Sequence, residues 1–258
     1  MEYLYASTIE EACRLIADGF VPIAGGTEIN IKHRAEKLVD MSRLGLGYIA
    51  RRGDKTAVGA SATIAQIEVS DLLDCYSALK MAAMSFTQSV KHLATIGGNI
   101  AESVASADTA PPLLVFDAEA VLCAPDGERT VPVESLFSGL RKNSLRRGEM
   151  IKEFLLPSFC GRSFFRKIGR TEDDLALTSI AVCTDEKGRT RIAFGSAADV
   201  PMRARKTETA LDSGVEAACS SLLSETRPRN SIRASADYRK RLEAELLREA
   251  LSACGVGQ

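Results

Sequence analysis

The sequence AGGTE at residues 24–28 follows the apolar run VPI at residues 21–23, which predicts a strand that ends abruptly in a glycine turn. Before this strand, two overlapping capping boxes at Ser7 and Thr8 predict a helix that stops at Gly19. After the turn, a polar helical stretch leads to a second short strand at residues 38–41. Together these elements predict a small α/β unit of about fifty residues.

A second glycine pair lies in LATIGGNI at residues 93–100, where a helical pattern from Asp71 to Leu93 ends. We call residues 24–28 the first glycine segment and residues 93–100 the second. Both pairs permit positive φ angles and close approach of a ligand to the backbone. Successive N–H groups form anion-binding nests, so two such turns together would hold a pyrophosphate from both sides. The alternative is a pair of ordinary tight turns.

Three charged residues are candidates for ligand contact outside the glycine segments. Asp108 suits the hydroxyl groups of a ribityl or ribose chain, or it caps the helix that Leu113 and Leu114 predict. Lys167 and Arg170 suit a flavin or a phosphate, or they form the solvated end of a strand. The residues alone leave both pairs of alternatives open.

Other nucleotide motifs are missing from the sequence. Neither glycine segment is followed by the Gly-Lys-Ser/Thr of a phosphate-binding P-loop. The Gly45-Leu46-Gly47 sequence lacks a clean preceding strand and has Ala50 where a dinucleotide fingerprint has glycine. These features argue against a Rossmann site.

Alternating strands and turns dominate the rest of the chain. Hairpins are predicted around Gly53-Asp54, around residues 125–127 and around residues 185–188. A strand from Met150 to Leu155 closes at Pro157, where the first large domain is expected to end. A strand at residues 163–168 opens the remainder, and an amphipathic helix ends it. This pattern predicts an α+β fold with helices packed on one side of a sheet.

Composition excludes several classes of function. Lys and Arg total 33 against 34 Asp and Glu, and the resulting net charge of −1 does not indicate binding to nucleic acid. No apolar run reaches the roughly 20 residues of a membrane span, and Met1-Glu2-Tyr3 does not open an export signal. The seven cysteines occur singly and only His33 and His92 are histidines, so no local metal signature exists. A soluble cytoplasmic protein is expected.

Five segments in order resemble one known family. The segments are AGGTE at 24–28, LATIGGNI at 93–100, SADTAPPLL at 106–114, FFRKIGRTEDD at 164–174 and RASADYRKRL at 233–242. They resemble the FAD-binding (medium) subunit of molybdenum hydroxylases, the xanthine dehydrogenase and carbon monoxide dehydrogenase group. The resemblance spans essentially the whole chain.

The resemblance implies a two-subdomain FAD-binding fold followed by a smaller α+β domain. The FAD-binding domain would span residues 1–158, with subdomains of about 1–50 and 51–158, and the C-terminal domain residues 162–258. Asp108 would bind the flavin polyol and Lys167 would approach the isoalloxazine. Residues implied near the pyrophosphate and adjoining groups are Val21, Pro22, Ile23, Ala24, Gly25, Gly26, Thr27, Glu28, Ile29, Ala94, Thr95, Ile96, Gly97, Gly98 and Asn99. Phe86, Met150 and Ile151 would surround the ring.

The resemblance also implies an activity and partners. Such a subunit passes electrons from a 2Fe-2S small subunit to NAD or another acceptor, beside a molybdopterin-binding large subunit, in a xanthine dehydrogenase-like complex. It supplies no catalytic side chain and no metal ligand, because the flavin performs the redox chemistry. The alternatives are a non-catalytic assembly module, the flavin subunit of a carbon monoxide dehydrogenase-like enzyme, and a free-standing flavin oxidase.

Two departures from the family pattern follow the second glycine segment. Val104-Ala105 stands where the family often has Ser-Pro, and Glu102 adds a carboxylate near the expected pyrophosphate. Like charges would weaken binding there unless Glu102 points away.

Overall fold

The computed structural model describes residues 1–29, 35–171 and 174–257. The fold combines helices and sheets in three units, as the α+β expectation requires. We name them the N-terminal unit (residues 1–29 and 35–48), the middle unit (49–159) and the C-terminal unit (161–171 and 174–257). None of the helices within these described ranges has the length and apolar character of a membrane span.

In its described residues, the N-terminal unit contains a three-stranded parallel sheet and the helix α1. Its elements are β1 (Glu2–Tyr5), α1 (Ile9–Ala17), β2 (Val21–Ile23) and β3 (Lys37–Asp40), with strand order β1-β3-β2. The Thr8 hydroxyl caps α1 by accepting a hydrogen bond from the Glu11 N–H at 3.2 Å. Gly19 has a φ of +91° just after the helix, as its expected role as a stop requires. The polar helical stretch expected before Leu38 includes residues 30–34, which lie outside the described residues.

The middle unit is built on a five-stranded antiparallel sheet of order β4-β5-β10-β6-β7. Its strands are β4 (Ile49–Arg52), β5 (Lys55–Gly59), β6 (Glu119–Ala124), β7 (Gly127–Pro132) and β10 (Met150–Leu156), and a small hairpin is formed by β8 (Phe137–Gly139) and β9 (Lys142–Asn143). The hairpins predicted around Gly53-Asp54 and residues 125–127 are confirmed, because β4 pairs with β5 and β6 with β7.

Five helices accompany this sheet. They are α2 (Ile64–Val69), α3 (Ser77–Met84), α4 (Gln88–Lys91), α5 (Ile96–Ala101) and α6 (Ala110–Val115). The expectation of one helix from Asp71 to Leu93 is wrong. A 3₁₀ helix over Asp71–Tyr76 precedes α3, and the extended backbone of Thr87 separates α3 from α4. The apolar spacing gave no sign of this break, because buried residues on either side of it face the same core.

The C-terminal unit is a four-stranded antiparallel sheet with helices. Its elements are β11 (Gly161–Ile168), β12 (Thr178–Asp185), β13 (Thr190–Gly195), β14 (Met202–Arg203), α7 (Arg205–Ala210), α8 (Val215–Glu225) and α9 (Ala236–Ala253). The hairpin predicted around residues 185–188 and the final amphipathic helix are both confirmed.

The central strand β12 joins two hydrophobic cores. Ile180 and Val182 pack with α8 and α9, whereas Ala181 and Cys183 belong to the core of the middle unit. Alternate residues of a strand point to opposite faces of its sheet, so this one strand serves both cores. The C-terminal sheet is therefore covered on both faces and lies firmly against the middle unit.

Helix α9 contains a buried acid, Glu243, with no exposed surface. Neither of its carboxyl oxygens has a hydrogen-bond partner among the described residues. Burial raises the pKa of Glu243 to about 7, and the Thr226 hydroxyl and the charges of Lys240 and Arg239 offset this only in part. An ionised carboxylate at this position destabilises the fold.

We expect Glu243→Gln to stabilise the protein by about 3 kcal/mol at pH 8 and by only about 1 kcal/mol at pH 5. Because folding raises the Glu243 pKa, the wild-type protein loses stability as the pH rises from about 4.5 to about 7. Urea unfolding at the two pH values measures the difference. Glu245→Gln, at an exposed neighbouring position, is the matched control. An equal gain at both pH values would contradict this account.

Candidate functional site

A cavity of about 1350 Å³ lies between the three units. The N-terminal unit contributes the first glycine segment, and the middle unit contributes much of the second together with Phe86 and Asp108. The C-terminal unit contributes Lys167 and a wall of polar residues before and within α9. Ligand sites commonly occur where separate units meet, so this cavity is the candidate functional site.

The two glycine segments meet directly at one edge of the cavity. A Cβ atom built on Gly25 would lie 1.7 Å from the Leu93 carbonyl oxygen, so only glycine fits there. The next residue, Gly26, has a φ of +69°, a left-handed conformation that favours glycine. The first segment therefore needs one glycine for contact and the other for its backbone conformation.

The second glycine segment is the start of a helix and not a free turn. Thr95 caps α5 by accepting a hydrogen bond from the Gly98 N–H at 3.2 Å. Neither glycine uses the positive φ that the pair permits, because Gly97 and Gly98 both lie in helical turns of α5. Gly97 is instead required by packing, since a Cβ atom would come within 2.7 Å of the Ala60 oxygen.

Asn99 connects this helix start to the segment that carries Asp108. Its side-chain oxygen accepts hydrogen bonds from the Thr109 hydroxyl at 2.6 Å and from the Thr109 N–H at 3.3 Å. Thr109 is the N-cap residue of α6. The amide of Asn99 therefore fixes the distance between the second glycine segment and Asp108.

Asp108 and Lys167 form an ion pair across two units. The Asp108 carboxylate is 5% exposed, and its Oδ2 atom lies 3.3 Å from the Lys167 ammonium. Lys167 also donates a hydrogen bond to the Ser85 carbonyl at 2.7 Å. The solvated-strand-end alternative for Lys167 is therefore wrong. Asp108 does not cap α6 either, because Thr109 occupies the N-cap position without a side-chain bond.

One oxygen of this pair is a candidate for contact with a ligand. The Oδ1 atom of Asp108, in the cavity wall, has no hydrogen-bond partner among the described residues. Burial raises the pKa of Asp108 to about 6, and the charge and hydrogen bond of Lys167 act in the opposite direction. At neutral pH the carboxylate is ionised and can accept a hydrogen bond from a ligand hydroxyl.

Glu102 does not present an unbalanced charge to the cavity. Its carboxylate forms an ion pair with Arg141, which lies in the turn between β8 and β9. The Arg141 N–H also donates a hydrogen bond to the Ser103 carbonyl at 2.9 Å. The positive partner offsets the charge repulsion that the sequence suggested.

Fifteen of the twenty residues proposed from the sequence line the cavity. These are Val21, Pro22, Ala24, Gly25, Gly26, Thr27, Glu28, Ile29, Phe86, Ala94, Thr95, Gly98, Asn99, Asp108 and Lys167. Ile23, Ile96 and Gly97 lie behind this lining and support it. Arg170 forms an exposed ion pair with Asp174, which itself lines the cavity.

Met150 and Ile151 are not part of the lining, contrary to the expectation from the sequence. Met150 is buried in the core under α1, and Ile151 is buried in the core of the middle unit. They lie on opposite faces of the central strand β10, and both faces are covered. Their side chains are therefore unavailable to a ligand in the cavity.

Apart from Lys167, sequence reasoning missed the part of the cavity wall formed by the C-terminal unit. Arg239 is 5% exposed and donates hydrogen bonds to the Leu177 carbonyl and, at 2.9 Å, to the Ser231 hydroxyl. Arg229 and Arg233 also line the cavity. The segment RASADYRKRL contains two of these arginines, but only the fold shows which side chains turn inward.

The donor set suits an organic cofactor more than a metal ion. Across the described ranges, no group of three or more His, Cys, Asp or Glu residues is placed to hold a metal. The cavity is instead lined by the first glycine segment, by a carboxylate oxygen that has no partner among the described residues, and by apolar side chains. These features fit the phosphates, hydroxyls and ring system of a flavin nucleotide.

Comparison with known protein families decides the assignment. Residues 1–159 match the family described as the FAD binding domain in molybdopterin dehydrogenase. Residues 163–254 match the CO dehydrogenase flavoprotein C-terminal domain. This chain is an FAD-binding subunit of the molybdenum hydroxylase family. It is an FAD-dependent oxidoreductase subunit of the xanthine and carbon monoxide dehydrogenase type.

Individual relatives agree with this assignment. The chain is 30% identical to a xanthine dehydrogenase FAD-binding subunit of Escherichia coli O157:H7, over 98% of this chain and 97% of the relative. It is 25% identical to a glyceraldehyde dehydrogenase medium chain of Sulfolobus acidocaldarius, over 96% of each. A solved structure of carbon monoxide dehydrogenase from Hydrogenophaga pseudoflava superimposes with a TM-score of 0.93 at 27% identity, covering 99% of this chain and 97% of that one.

We expect Gly25→Ala to lower stability by about 3 kcal/mol and to remove most of the FAD from the purified flavoprotein. The added methyl group collides with the Leu93 carbonyl and pushes the two glycine segments apart. Thermal unfolding and the flavin absorbance per protein measure the two effects. Gly47→Ala is the matched control, because its Cβ atom would only reach ordinary contact with the Ser61 oxygen at 3.6 Å. Wild-type flavin content in Gly25→Ala would contradict the role of this contact.

We expect Asp108→Asn to weaken FAD binding about tenfold at pH 8, because a charged acceptor is replaced by a neutral one. Below pH 6 the wild-type protein should lose this advantage, since protonation removes the carboxylate charge. Titration of the apoprotein with FAD, followed by flavin fluorescence, measures both affinities. Asp54→Asn, in an exposed turn, is the control. An equal difference between wild type and Asp108→Asn at every pH would contradict the assignment.

Proposed function

We propose that this chain passes electrons inside a molybdenum hydroxylase complex, from an iron–sulfur subunit to NAD or another acceptor, in a xanthine dehydrogenase-like enzyme. The observation that carries the proposal is the Asp108–Lys167 ion pair beside two joined glycine segments, with one Asp108 oxygen that no described residue contacts by a hydrogen bond. The 30% identity to a xanthine dehydrogenase FAD-binding subunit supports this type of complex.

The cofactor is held by residues from all three units in this proposal. The pyrophosphate lies against both glycine segments, and the first segment contacts it through its backbone and the Thr27 hydroxyl. The N–H groups of residues 96–99 already bond to Ala62, Ala60 and Thr95, so the second segment supports the first instead of donating to the ligand. Asp108 accepts a hydrogen bond from the polyol chain, and Lys167 and Phe86 lie towards the isoalloxazine. When bound, FAD would supply the redox chemistry, because its ring system accepts and donates electrons singly or in pairs.

The buried ion pair has a positioning role. Ser85 and Asp108 together hold the Lys167 ammonium, which is 10% exposed, at one place in the cavity wall. In a site with little water, a fixed positive charge acts more strongly than it would at the surface. Lys167 therefore orients the ligand and favours negative charge next to it, while Asp108 keeps the site close to neutral.

We further propose that the chain divides functionally as its sequence suggests. An FAD-binding domain of residues 1–158, with subdomains of about 1–50 and 51–158, would carry the cofactor, and residues 162–258 would close the cavity from the other side. Support comes from the cavity lining, in which Lys167 and the arginines of the C-terminal unit face the glycine segments. The complex is proposed to act in the cytoplasm.

The proposed partners are a molybdopterin-binding large subunit and a 2Fe-2S small subunit. Support comes from relatives whose names describe subunits, such as the 6-hydroxypseudooxynicotine dehydrogenase complex subunit alpha of Paenarthrobacter nicotinovorans, 28% identical over 97% of this chain. A second candidate is the flavin subunit of a carbon monoxide dehydrogenase-like enzyme, and the TM-score of 0.93 to such a structure supports it on fold.

Anaerobic reduction of the FAD-loaded chain tests the proposed acceptor. We expect the flavin absorbance to bleach on addition of NADH, because electron transfer to NAD must also run in reverse. Bleaching by dithionite but not by NADH would rule out NAD and favour another acceptor. A preparation that cannot be loaded with FAD would instead support a non-catalytic assembly module. Asp54→Asn, loaded in the same way, serves as the control for handling.

A further inference from the structure

Arg239 is a buried positive charge in the wall of the cavity. It lies near the start of α9 and lines the same cavity as Asp108 and Lys167. An arginine side chain remains charged throughout the physiological pH range, and a buried charge is costly unless an opposite charge pairs with it. The function of this charge therefore depends on the groups around it.

The hydrogen-bond partners of Arg239 are neutral. Its guanidinium donates hydrogen bonds to the Leu177 carbonyl and, at 2.9 Å, to the Ser231 hydroxyl. Its Nε atom is buried and has no hydrogen-bond partner among the described residues. Glu243 lies one turn further along α9, but neither of its carboxyl oxygens forms a hydrogen bond with a described residue. Arg239 therefore has no ion pair with a carboxylate in the described part of the chain.

Most other charged groups of this wall belong to ion pairs. These pairs are Lys167 with Asp108, Arg229 with Asp199, and Asp174 with Arg170. Arg233 adds a further positive charge to the lining, and burial together with this like charge lowers the pKa of Arg239. In its described part, the C-terminal unit thus contributes four positive and two negative side chains to the lining.

Hydrogen bonds connect Arg239 to the strand that carries Lys167. Leu177, whose carbonyl accepts a hydrogen bond from Arg239, donates its own N–H to the Ile168 carbonyl at 2.7 Å. Ile168 is the last residue of β11 and directly follows Lys167. The guanidinium is therefore held at a fixed place relative to the Lys167–Asp108 ion pair.

We propose that Arg239 raises the reduction potential of bound FAD, because its unpaired charge is fixed in the cavity wall and favours the reduced flavin. The proposal rests on the proposed function, in which the isoalloxazine shares this cavity with Lys167. The Lys167–Asp108 pair is close to neutral as a whole. Arg239 supplies the net positive charge that this pair does not.

The physical basis is the charge that the flavin gains on reduction. Two electrons and one proton convert oxidised FAD into a reduced form with one additional negative charge on the ring. A fixed positive charge nearby stabilises this form more than the oxidised one. The attraction is stronger in a cavity wall with little water than at the protein surface.

The midpoint potential of the FAD-loaded chain tests the proposal, measured at pH 7 by titration with dithionite beside a reference dye. Arg239→Gln removes the charge but keeps a hydrogen-bond donor, whereas Arg239→Lys keeps the charge but loses the planar fork. We expect Arg239→Gln to weaken the binding of reduced FAD about tenfold relative to oxidised FAD. For a two-electron couple, this ratio lowers the midpoint potential by about 30 mV. Arg239→Lys should keep the wild-type potential.

A second pair of variants leaves Arg239 in place. Ser231→Asp puts a carboxylate beside the guanidinium at an exposed position, so the fold should tolerate it. We expect it to lower the midpoint potential by an amount similar to that of Arg239→Gln, whereas Ser231→Asn should shift it much less. Arg241→Gln, at an exposed position of the same helix, is the matched control and should keep the wild-type potential.

Three results would overturn the proposal. One is a wild-type potential in Arg239→Gln or, where that variant does not fold, in Ser231→Asp. Another is an equal shift in Arg239→Gln and Arg239→Lys, which would assign the effect to the hydrogen bonds and not to the charge. The third is an equal shift in Arg241→Gln. Because dithionite reduces the flavin directly, failure of NADH to bleach it would contradict the proposed acceptor without changing this test.

Discussion

The contact between Gly25 and the Leu93 carbonyl is the constraint on which the site depends. A side chain of any size at residue 25 would occupy the position of that oxygen, because even a Cβ atom would lie 1.7 Å from it. The contact joins two segments that are separated by almost seventy residues and belong to different units. Once they touch, residues of both line the same cavity.

Close packing also requires a glycine in the second glycine segment, but there the contact is with the end of β5. Gly97 sits where α5 passes Ala60 at the end of β5, and its N–H donates a hydrogen bond to the Ala60 carbonyl at 2.9 Å. The glycine pair thus lets a helix begin close against a sheet. Its partner Gly98 meets only the Thr95 hydroxyl, so the cavity side of the helix stays open. Gly97 therefore allows the packing against β5, and the adjacent Gly98 leaves room on the cavity side.

The C-terminal unit completes the site because its sheet is buried on both faces. One face of β12 packs on α8 and α9, and the other packs on the middle unit. This arrangement fixes β11, and with it Lys167, opposite Asp108. A buried ion pair is stable only when its remaining polar atoms find partners, and Asp108 Oδ1, which has none among the described residues, is therefore the proposed place for a ligand hydroxyl. Arg239 adds to this wall by holding Leu177 and Ser231.

Local sequence signals were enough to predict the hairpins, the capped first helix, the final amphipathic helix and the importance of both glycine segments. These features depend on residues that are neighbours in the chain, as at Thr8 and Glu11. The break at Thr87, the burial of Met150 and Ile151, and the inward turn of Arg239 were decided by the tertiary structure alone. Each depends on contacts between distant segments, and apolar periodicity reports that a residue is buried without reporting which core or cavity it faces.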